Sequence, residues 1–195
     1  MTAAHGAIWV LGSRWERPGR DARLRVRLQP PRLIGRGGDL AQVVPLLYPA
    51  FVVVAPGWGY GGWLNWSSGI DPLLQGIGLG LWAVGMAVLV WAARVLGRYV
   101  SVEGVTVDHE LVTSGPYHYV RHPIYSSSTA IAVGLSLVFR SYLLAGVAVA
   151  WTMATMWWVA AEEELLASPE GLGDAYHRYT ERTGRFLPRR RRARE

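Results

Sequence analysis

Residues 123–161 read "PIYSSSTAIAVGLSLVFRSYLLAGVAVAWTMATMWWVAA", and Arg140 is the only charged residue among them. A helix needs roughly 20 apolar residues to cross about 30 Å of hydrocarbon. The stretch therefore predicts two membrane-spanning helices, 123–139 and 142–161, joined by a tight turn at Arg140 and Ser141. Pro123 suits the first position of a helix, because the N–H at that position has no helical partner.

Two further apolar segments lie upstream. Residues 73–93 predict another helix of spanning length, in which Gly76 and Gly80 are spaced for close helix packing. Residues 40–60 contain three prolines and predict either a kinked span or an interfacial segment. The predicted fold class is all-α: a polytopic membrane protein with about four transmembrane helices and a C-terminal cytoplasmic helix.

The charges lie at the two ends of the chain. All 20 basic residues are Arg; eight precede residue 40 and eight follow residue 177. Arg-rich segments next to spans stay in the cytoplasm, so both termini are predicted to be cytoplasmic and the protein integral to the cytoplasmic membrane. Residues 1–39 are predicted as a basic cytoplasmic arm that need not be ordered, and residues 40–195 as the membrane domain. Basic ends that flank an apolar block favour anionic lipid headgroups, and we expect no nucleic-acid partner.

A polar cluster, "GPYHYVRHPIY" at residues 115–125, precedes the first helix of this hairpin. His122 falls at the helix N-terminus, where unpaired N–H groups and the helix dipole favour an anion. Arg121 beside it has the shape to bind a carboxylate or phosphate with two hydrogen bonds. His118 and His122 have the spacing of a zinc pair, but Pro123 breaks the helical geometry, and we expect no metal. A helix cap with interfacial Tyr and His side chains is the other interpretation.

A second polar cluster, "EEELL" at residues 162–166, closes the hairpin. Three successive carboxylates at a helix C-terminus oppose the dipole and repel one another. A cation is therefore expected nearby: Arg121, Arg98 or a cationic ligand. The other interpretation is a solvated helix end beyond the headgroups. Because one helix starts and the next ends on the same side, the two polar clusters are predicted to face each other.

The blocks "LVTSGPYHYVRHPIY", "EEELL" and "GDAYHRYTERTGRFLP", within residues 111–188, resemble the membrane methyltransferase superfamily of isoprenylcysteine carboxyl methyltransferases and phospholipid methyltransferases. The resemblance implies that 40–195 is a membrane methyltransferase domain with an S-adenosylmethionine site in 111–188. It implies catalytic roles for Arg121, His122 and Glu163. The implied cofactor-binding residues are Gly115, Tyr117, Arg121, His122, Pro123, Tyr125, Glu162 and Glu163, and the residues that complete the pattern are Leu166, Tyr176, Tyr179 and Arg182.

One departure from the family pattern lies at Leu172-Gly173, where the family usually has Phe-Gly; it leaves the position of the closing helix open. The resemblance implies that the carboxylate of S-adenosylmethionine meets Arg121 and the helix N-terminus, and that its ammonium or ribose hydroxyls meet the Glu pair. A carboxylate acceptor needs no general base, whereas an ammonium acceptor must lose a proton, to His122 or Glu163.

The function that the resemblance implies is that of an S-adenosylmethionine-dependent methyltransferase that acts on a lipophilic or prenylated acceptor. It is most like isoprenylcysteine carboxyl O-methyltransferase. The alternatives are a phospholipid N-methyltransferase, an NADPH-dependent sterol-type reductase and a non-catalytic membrane protein that binds lipid. The reductases share the Arg-His-Pro-x-Tyr motif but usually have Asn where Ile124 stands. The sequence leaves the acceptor and the oligomeric state open.

Overall fold

The structure is a computed structural model that describes residues 24–27, 47–59, 62–97, 104–106 and 110–189. Four helices form its framework: α1 (Asp71–Leu96), α2 (Pro123–Phe139), α3 (Tyr142–Ala167) and α4 (Asp174–Arg182). Residues 47–54 and Pro56–Gly59 are also helical, and Gly115–His118 form a 3₁₀ turn before α2. The helical architecture predicted from the sequence is thus confirmed.

The helical hairpin of α2 and α3 forms where the sequence predicts it. His122 caps α2, and Pro123 takes its first position. Arg140 turns the chain in the left-handed conformation with φ of 51°, and the Ser141 hydroxyl accepts a hydrogen bond from the N–H of Leu144 to start α3. Helix α3 is longer than predicted and ends at Ala167, so the three carboxylates of residues 162–164 belong to its last turns.

Helix α1 packs against α2 at glycines. A Cβ atom on Gly78 would lie 2.6 Å from the carbonyl oxygen of Gly134, and one on Gly85 would lie 3.0 Å from that of Ser127. The predicted pair, Gly76 and Gly80, is the wrong pair, because no described atom lies within 4 Å of a Cβ at either position. Spacing identifies glycines that permit close approach, but only the tertiary arrangement decides which face of α1 meets α2.

Helices α1 and α3 are long and apolar enough to cross a membrane, with mean hydropathy of 2.0 and 1.6 in their most apolar windows. Most residues of those windows face outward rather than into the protein. Helix α2 is apolar but has 17 residues. Among the described residues the predicted count of four spans is not confirmed, because the first apolar segment breaks at Ala55 between residues 47–54 and Pro56–Gly59.

A two-stranded antiparallel sheet adds to the predicted all-α fold. Strand β1 (Leu24–Arg27) pairs with β2 (Gly104–Thr106), with Leu24 opposite Thr106 and Arg27 opposite Gly104. The sequence analysis missed it, because strands this short carry little periodicity and the two lie far apart in the chain. A four-residue strand of the predicted basic arm therefore pairs, through Leu24, Val26 and Arg27, with the segment between α1 and α2.

The end of the bundle at the hairpin turn is tied together by polar contacts. Arg140 Nη1 lies 2.6 Å from Asp71 Oδ2 at the start of α1. The N–H of Trp66 donates to the carbonyl of Arg140 at 2.9 Å, and the N–H of Tyr142 donates to that of Leu64 at 2.9 Å. These contacts fix the start of α1 to the turn, and they leave the two sequence-predicted polar clusters together at the opposite end.

Candidate functional site

The site lies where α2 begins and α3 ends, and a C-terminal segment closes it. Residues 184 and 185 run alongside residues 121 and 122. The N–H of Arg121 donates to the carbonyl of Gly184 at 2.8 Å, and the N–H of His122 donates to that of Arg185 at 3.1 Å. Two residues from the sequence-predicted polar cluster are thus held by the backbone that follows α4.

Arg121 occupies the centre of the site. Its Nε donates to Glu163 Oε1 at 2.8 Å, and its Nη1 donates to the carbonyl oxygens of Thr183 at 2.5 Å and Thr180 at 3.3 Å. Its side chain is 11% exposed. The planar guanidinium group therefore joins the end of α3 to the end of α4, a geometry that a lysine does not reproduce.

Glu163 receives hydrogen bonds from three side chains. Besides Arg121, the Nε2 of His122 lies 3.1 Å from Oε1, and Arg185 places Nε at 2.9 Å and Nη2 at 2.5 Å from Oε2. The expectation that a cation compensates the carboxylates at the end of α3 is borne out with Arg121; Arg98 lies outside the described residues. Sequence reasoning missed Arg185, although it lies in the quoted block "TGRFLP".

Glu162 faces the first turn of α2. The hydroxyl of Tyr125 donates to Glu162 Oε2 at 3.2 Å, and the ring of Tyr125 lies 5.8 Å from the ring of His122. Pro123 is fully buried beneath them. Glu164, the third carboxylate, is exposed. The Glu pair singled out by the sequence thus points into the site, while the next residue points out.

Gly115 packs against α1, and Tyr117 contacts α4. Gly115 has φ of 57°, and a Cβ there would lie 2.9 Å from Val95 Cγ2. The carbonyl of Tyr117 accepts a hydrogen bond from the hydroxyl of Tyr179 at 2.6 Å. Burial, and then the nearby Glu162 carboxylate, raise the pKa of Tyr117 above its ordinary value. Tyr117 therefore links the Glu162 side of the site to α4.

The turn before α4 accommodates the departure at Leu172-Gly173. The N–H of Leu172 donates to the carbonyl of Leu166 at 2.8 Å, and Gly173 adopts φ of 52°. A Cβ on Gly171 would clash with the carbonyl of Leu165. Helix α4 then places Tyr176 and Tyr179 inward and leaves Arg182 exposed. The closing helix takes its position without the Phe of the family pattern.

The two histidines with the spacing of a zinc pair, His118 and His122, lie in different surroundings. His118 is exposed in the 3₁₀ turn, whereas His122 is 6% exposed and bonds to Glu163. Within the described part of the chain, no three His, Asp or Glu side chains gather as a metal site would require.

The site combines part-buried groups of both charges. Two carboxylates, Glu162 and Glu163, lie next to the guanidinium of Arg121, and the N-terminus of α2 opens beside them. A site for a simple anion would have an excess of positive charge, and a site for a simple cation would have an excess of negative charge. This arrangement instead suits a ligand that carries a carboxylate and an ammonium group together.

Two kinds of comparison with known proteins find a match. Residues 74–168 match the sequence model of the phospholipid methyltransferase family, which confirms the resemblance over the stretch that contains α2, nearly all of α1 and all of α3. The fold is similar to that of a eukaryotic intramembrane Ras methyltransferase, isoprenylcysteine carboxyl methyltransferase, with a TM-score of 0.49 and 20% identity. That similarity covers 83% of this chain and 54% of the other, so this chain spans about half of its length. No curated protein matches the sequence.

Proposed function

We propose that the protein is an integral-membrane methyltransferase that uses S-adenosylmethionine and acts on a lipid-like acceptor. The observation that carries this proposal is the part-buried contact between Arg121 and Glu163, at the end of an apolar hairpin that lies inside the family match. A salt bridge near the end of a membrane-spanning helix adds little net stability to the fold. Ionisable residues at such a position are more often part of a ligand-binding or catalytic site.

The described residues fit S-adenosylmethionine by charge. Arg121 and the N-terminus of α2 would hold its carboxylate, and Glu162 and Glu163 would hold its ammonium group or ribose hydroxyls. When bound, the cofactor supplies an electrophilic methyl group on a sulfonium. The chain's own contribution is to align the two reactants and exclude water, so the reaction needs no covalent nucleophile.

The preferred acceptor is a carboxylate, as in isoprenylcysteine carboxyl methylation. Each carboxylate and imidazole that faces the site already has a protein partner: Glu163 binds Arg121, His122 and Arg185, and Glu162 binds Tyr125. A carboxylate attacks without losing a proton, so it needs no general base from this set.

The second candidate is methylation of a phospholipid amine. The family model that matches residues 74–168 describes phospholipid methyltransferases. An ammonium acceptor must lose a proton before it attacks, and His122, bonded to Glu163 at 3.1 Å, is the group that would take it. Under this candidate, replacing His122 lowers the rate, and raising the pH restores part of the loss, because more acceptor amines are then neutral without a base.

The membrane supplies the acceptor in both cases. Helices α1 and α3 expose apolar side chains along lengths that suit a bilayer, and α2 lies between them in the chain. The lipid part of the acceptor would enter laterally, while the cofactor reaches the site from the cytoplasm. The Arg-rich ends, both placed in the cytoplasm by this proposal, would lie against anionic headgroups.

Calorimetric titration of the detergent-purified protein tests the cofactor. We expect micromolar binding of S-adenosylmethionine, loss of that binding in Glu163→Gln, and retention in the control Glu164→Gln, whose side chain is exposed. Binding of NADPH in place of S-adenosylmethionine would contradict the proposal and favour a reductase. Labelled methyl transfer to a farnesylated cysteine with a free carboxylate, compared with transfer to phosphatidylethanolamine, then separates the two acceptors.

A further inference from the structure

Two buried tyrosines of α4 differ in their hydrogen bonding. Tyr176 and Tyr179 are 2% and 8% exposed, and their ring centroids lie 6.1 Å apart. The hydroxyl of Tyr179 donates to the carbonyl of Tyr117 at 2.6 Å. The hydroxyl of Tyr176 is buried without a hydrogen-bond partner in the described part of the chain. A buried hydroxyl that makes no hydrogen bond costs free energy, and a ligand that accepts a hydrogen bond from it would remove that cost.

Tyr176 lies one turn of α4 before a residue that contacts the charged centre of the site. Thr180, one turn further along α4, accepts a hydrogen bond from Arg121 Nη1 at 3.3 Å. Burial and then the Glu163 carboxylate raise the pKa of Tyr176, while Arg121 acts in the opposite direction. The hydroxyl is therefore a neutral donor at physiological pH, within electrostatic reach of one guanidinium, that of Arg121, and two carboxylates, those of Glu163 and Glu162.

The Tyr176 hydroxyl donates to neither carboxylate of the site in the described part of the chain. Glu163 is bonded to Arg121, His122 and Arg185, and Glu162 accepts from Tyr125. A neutral donor next to a guanidinium group favours an anionic acceptor supplied from outside the chain.

We propose that the hydroxyl of Tyr176 donates a hydrogen bond to the carboxylate of the amino-acid moiety of S-adenosylmethionine, beside Arg121. This inference rests on the proposed function, and it assigns Tyr176 as a cofactor-binding residue. The carboxylate is the one anionic group of that cofactor. The described hydrogen bonds of Arg121 use Nε and Nη1, so the same carboxylate can approach its Nη2 side.

Calorimetry with two ligands tests the assignment. Tyr176→Phe removes one oxygen that bonds nothing in the described chain, so we expect it to fold with an unchanged or higher melting temperature. We expect it to bind S-adenosylmethionine about 3- to 10-fold more weakly than the wild type, the effect of one lost hydrogen bond. Decarboxylated S-adenosylmethionine, which lacks only the carboxylate, should bind the variant and the wild type equally.

Tyr179→Phe is the matched control. It removes the same atom from a tyrosine three residues away, but that atom bonds to Tyr117. We expect a lower melting temperature, and the same ratio of affinities for the two ligands as in the wild type.

The outcomes separate this inference from the proposed function. If the wild type binds S-adenosylmethionine and Tyr176→Phe binds it equally well, the assignment of Tyr176 is wrong and the proposed function stands. If Tyr176→Phe weakens both ligands equally, the hydroxyl serves another part of the ligand and the assignment is again wrong. If the wild type binds neither ligand, the proposed function fails and this inference with it.

Discussion

Arg121 and Glu163 bind each other at 2.8 Å, and each side chain is 11% exposed. They come from the two ends of a hairpin, 42 residues apart in the chain. Breaking a buried pair by removing one partner costs more than the pair contributes, because the remaining charge stays buried without compensation. Replacing either residue is therefore expected to destabilise the hairpin as well as to change the charge of the site.

Arg121→Lys keeps the charge but loses the geometry. A lysine ammonium does not reproduce the spacing of Nε and Nη1, so the part-buried carbonyl of Thr183 loses its partner, while that of Thr180 keeps Arg189. We expect a loss of about 1–3 kcal/mol in the free energy of unfolding and a marked loss of cofactor affinity. Thermal unfolding in detergent measures the first. Arg182→Lys, at an exposed position of α4, is the control, and an equal change in both variants would contradict the role of the guanidinium geometry.

Arg185→Ala should affect stability much less than Arg121→Ala. The Arg185 side chain is 45% exposed, so water screens its contact with Glu163, and Glu163 keeps Arg121 and His122 as partners. We expect a loss of at most about 1 kcal/mol. The two melting temperatures, measured in the same detergent, decide the order. A larger loss for Arg185→Ala would mean that the C-terminal segment, rather than Arg121, holds the site together.

Gly78→Ala should separate α1 from α2, whereas Gly80→Ala should not. A Cβ at residue 78 would lie 2.6 Å from the carbonyl oxygen of Gly134, a backbone atom that cannot move aside cheaply. We expect a cost of about 1–3 kcal/mol from this overpacking. At residue 80 no described atom lies within 4 Å, and alanine favours the helix over glycine. Equal melting temperatures for the two variants would contradict the packing face described here.

Alkaline pH should destabilise the fold through buried tyrosines. An unfolded tyrosine has a pKa near 10. Burial raises the pKa of Tyr179 to about 12, and burial also raises the pKa values of Tyr117 and Tyr176. Above pH 10 the unfolded chain has lost protons that the folded chain keeps. The contribution of these tyrosines to the free energy of unfolding is therefore complete below about pH 10. It falls as the pH rises, by up to about 1.4 kcal/mol per pH unit for each tyrosine.

Melting temperatures measured at intervals from pH 8 to pH 11.5 test this dependence, with tyrosinate absorbance recorded in parallel. Tyr176→Phe should show a shallower fall than the wild type, because one of the three titrating groups is gone. A wild-type melting temperature that stays constant above pH 10 would contradict the burial of these hydroxyls.

Helix positions could be predicted because their determinants are local. Pro123 and Arg140 bound an apolar run, and the structure begins and ends α2 beside them. The need for a cation next to Glu163 could also be predicted, because adjacent carboxylates at a helix end repel one another wherever the helix lies. The sequence left Arg121, Arg98 and a cationic ligand as candidates for that cation, and the structure places Arg121 there.

Contacts that depend on distant segments could not be predicted in this way. Arg185 reaches Glu163 only because residues 184 and 185 run beside residues 121 and 122, a pairing that neither segment encodes by itself. The β1–β2 pair has the same origin. The glycines that permit close approach were visible as a pattern, but the sequence alone indicated Gly76 and Gly80 where α1 uses Gly78 and Gly85.

The sequence by itself determined where the helices of the hairpin lie and that its two polar clusters share one end of the bundle, since apolar length, proline and charge act within a few residues of themselves. Only the tertiary structure decided which cations bind Glu163, and that Tyr179 has a hydrogen-bond partner while Tyr176 has none among the described residues. Hydrogen bonds form within about 3 Å between atoms whose positions depend on the whole packing of the chain.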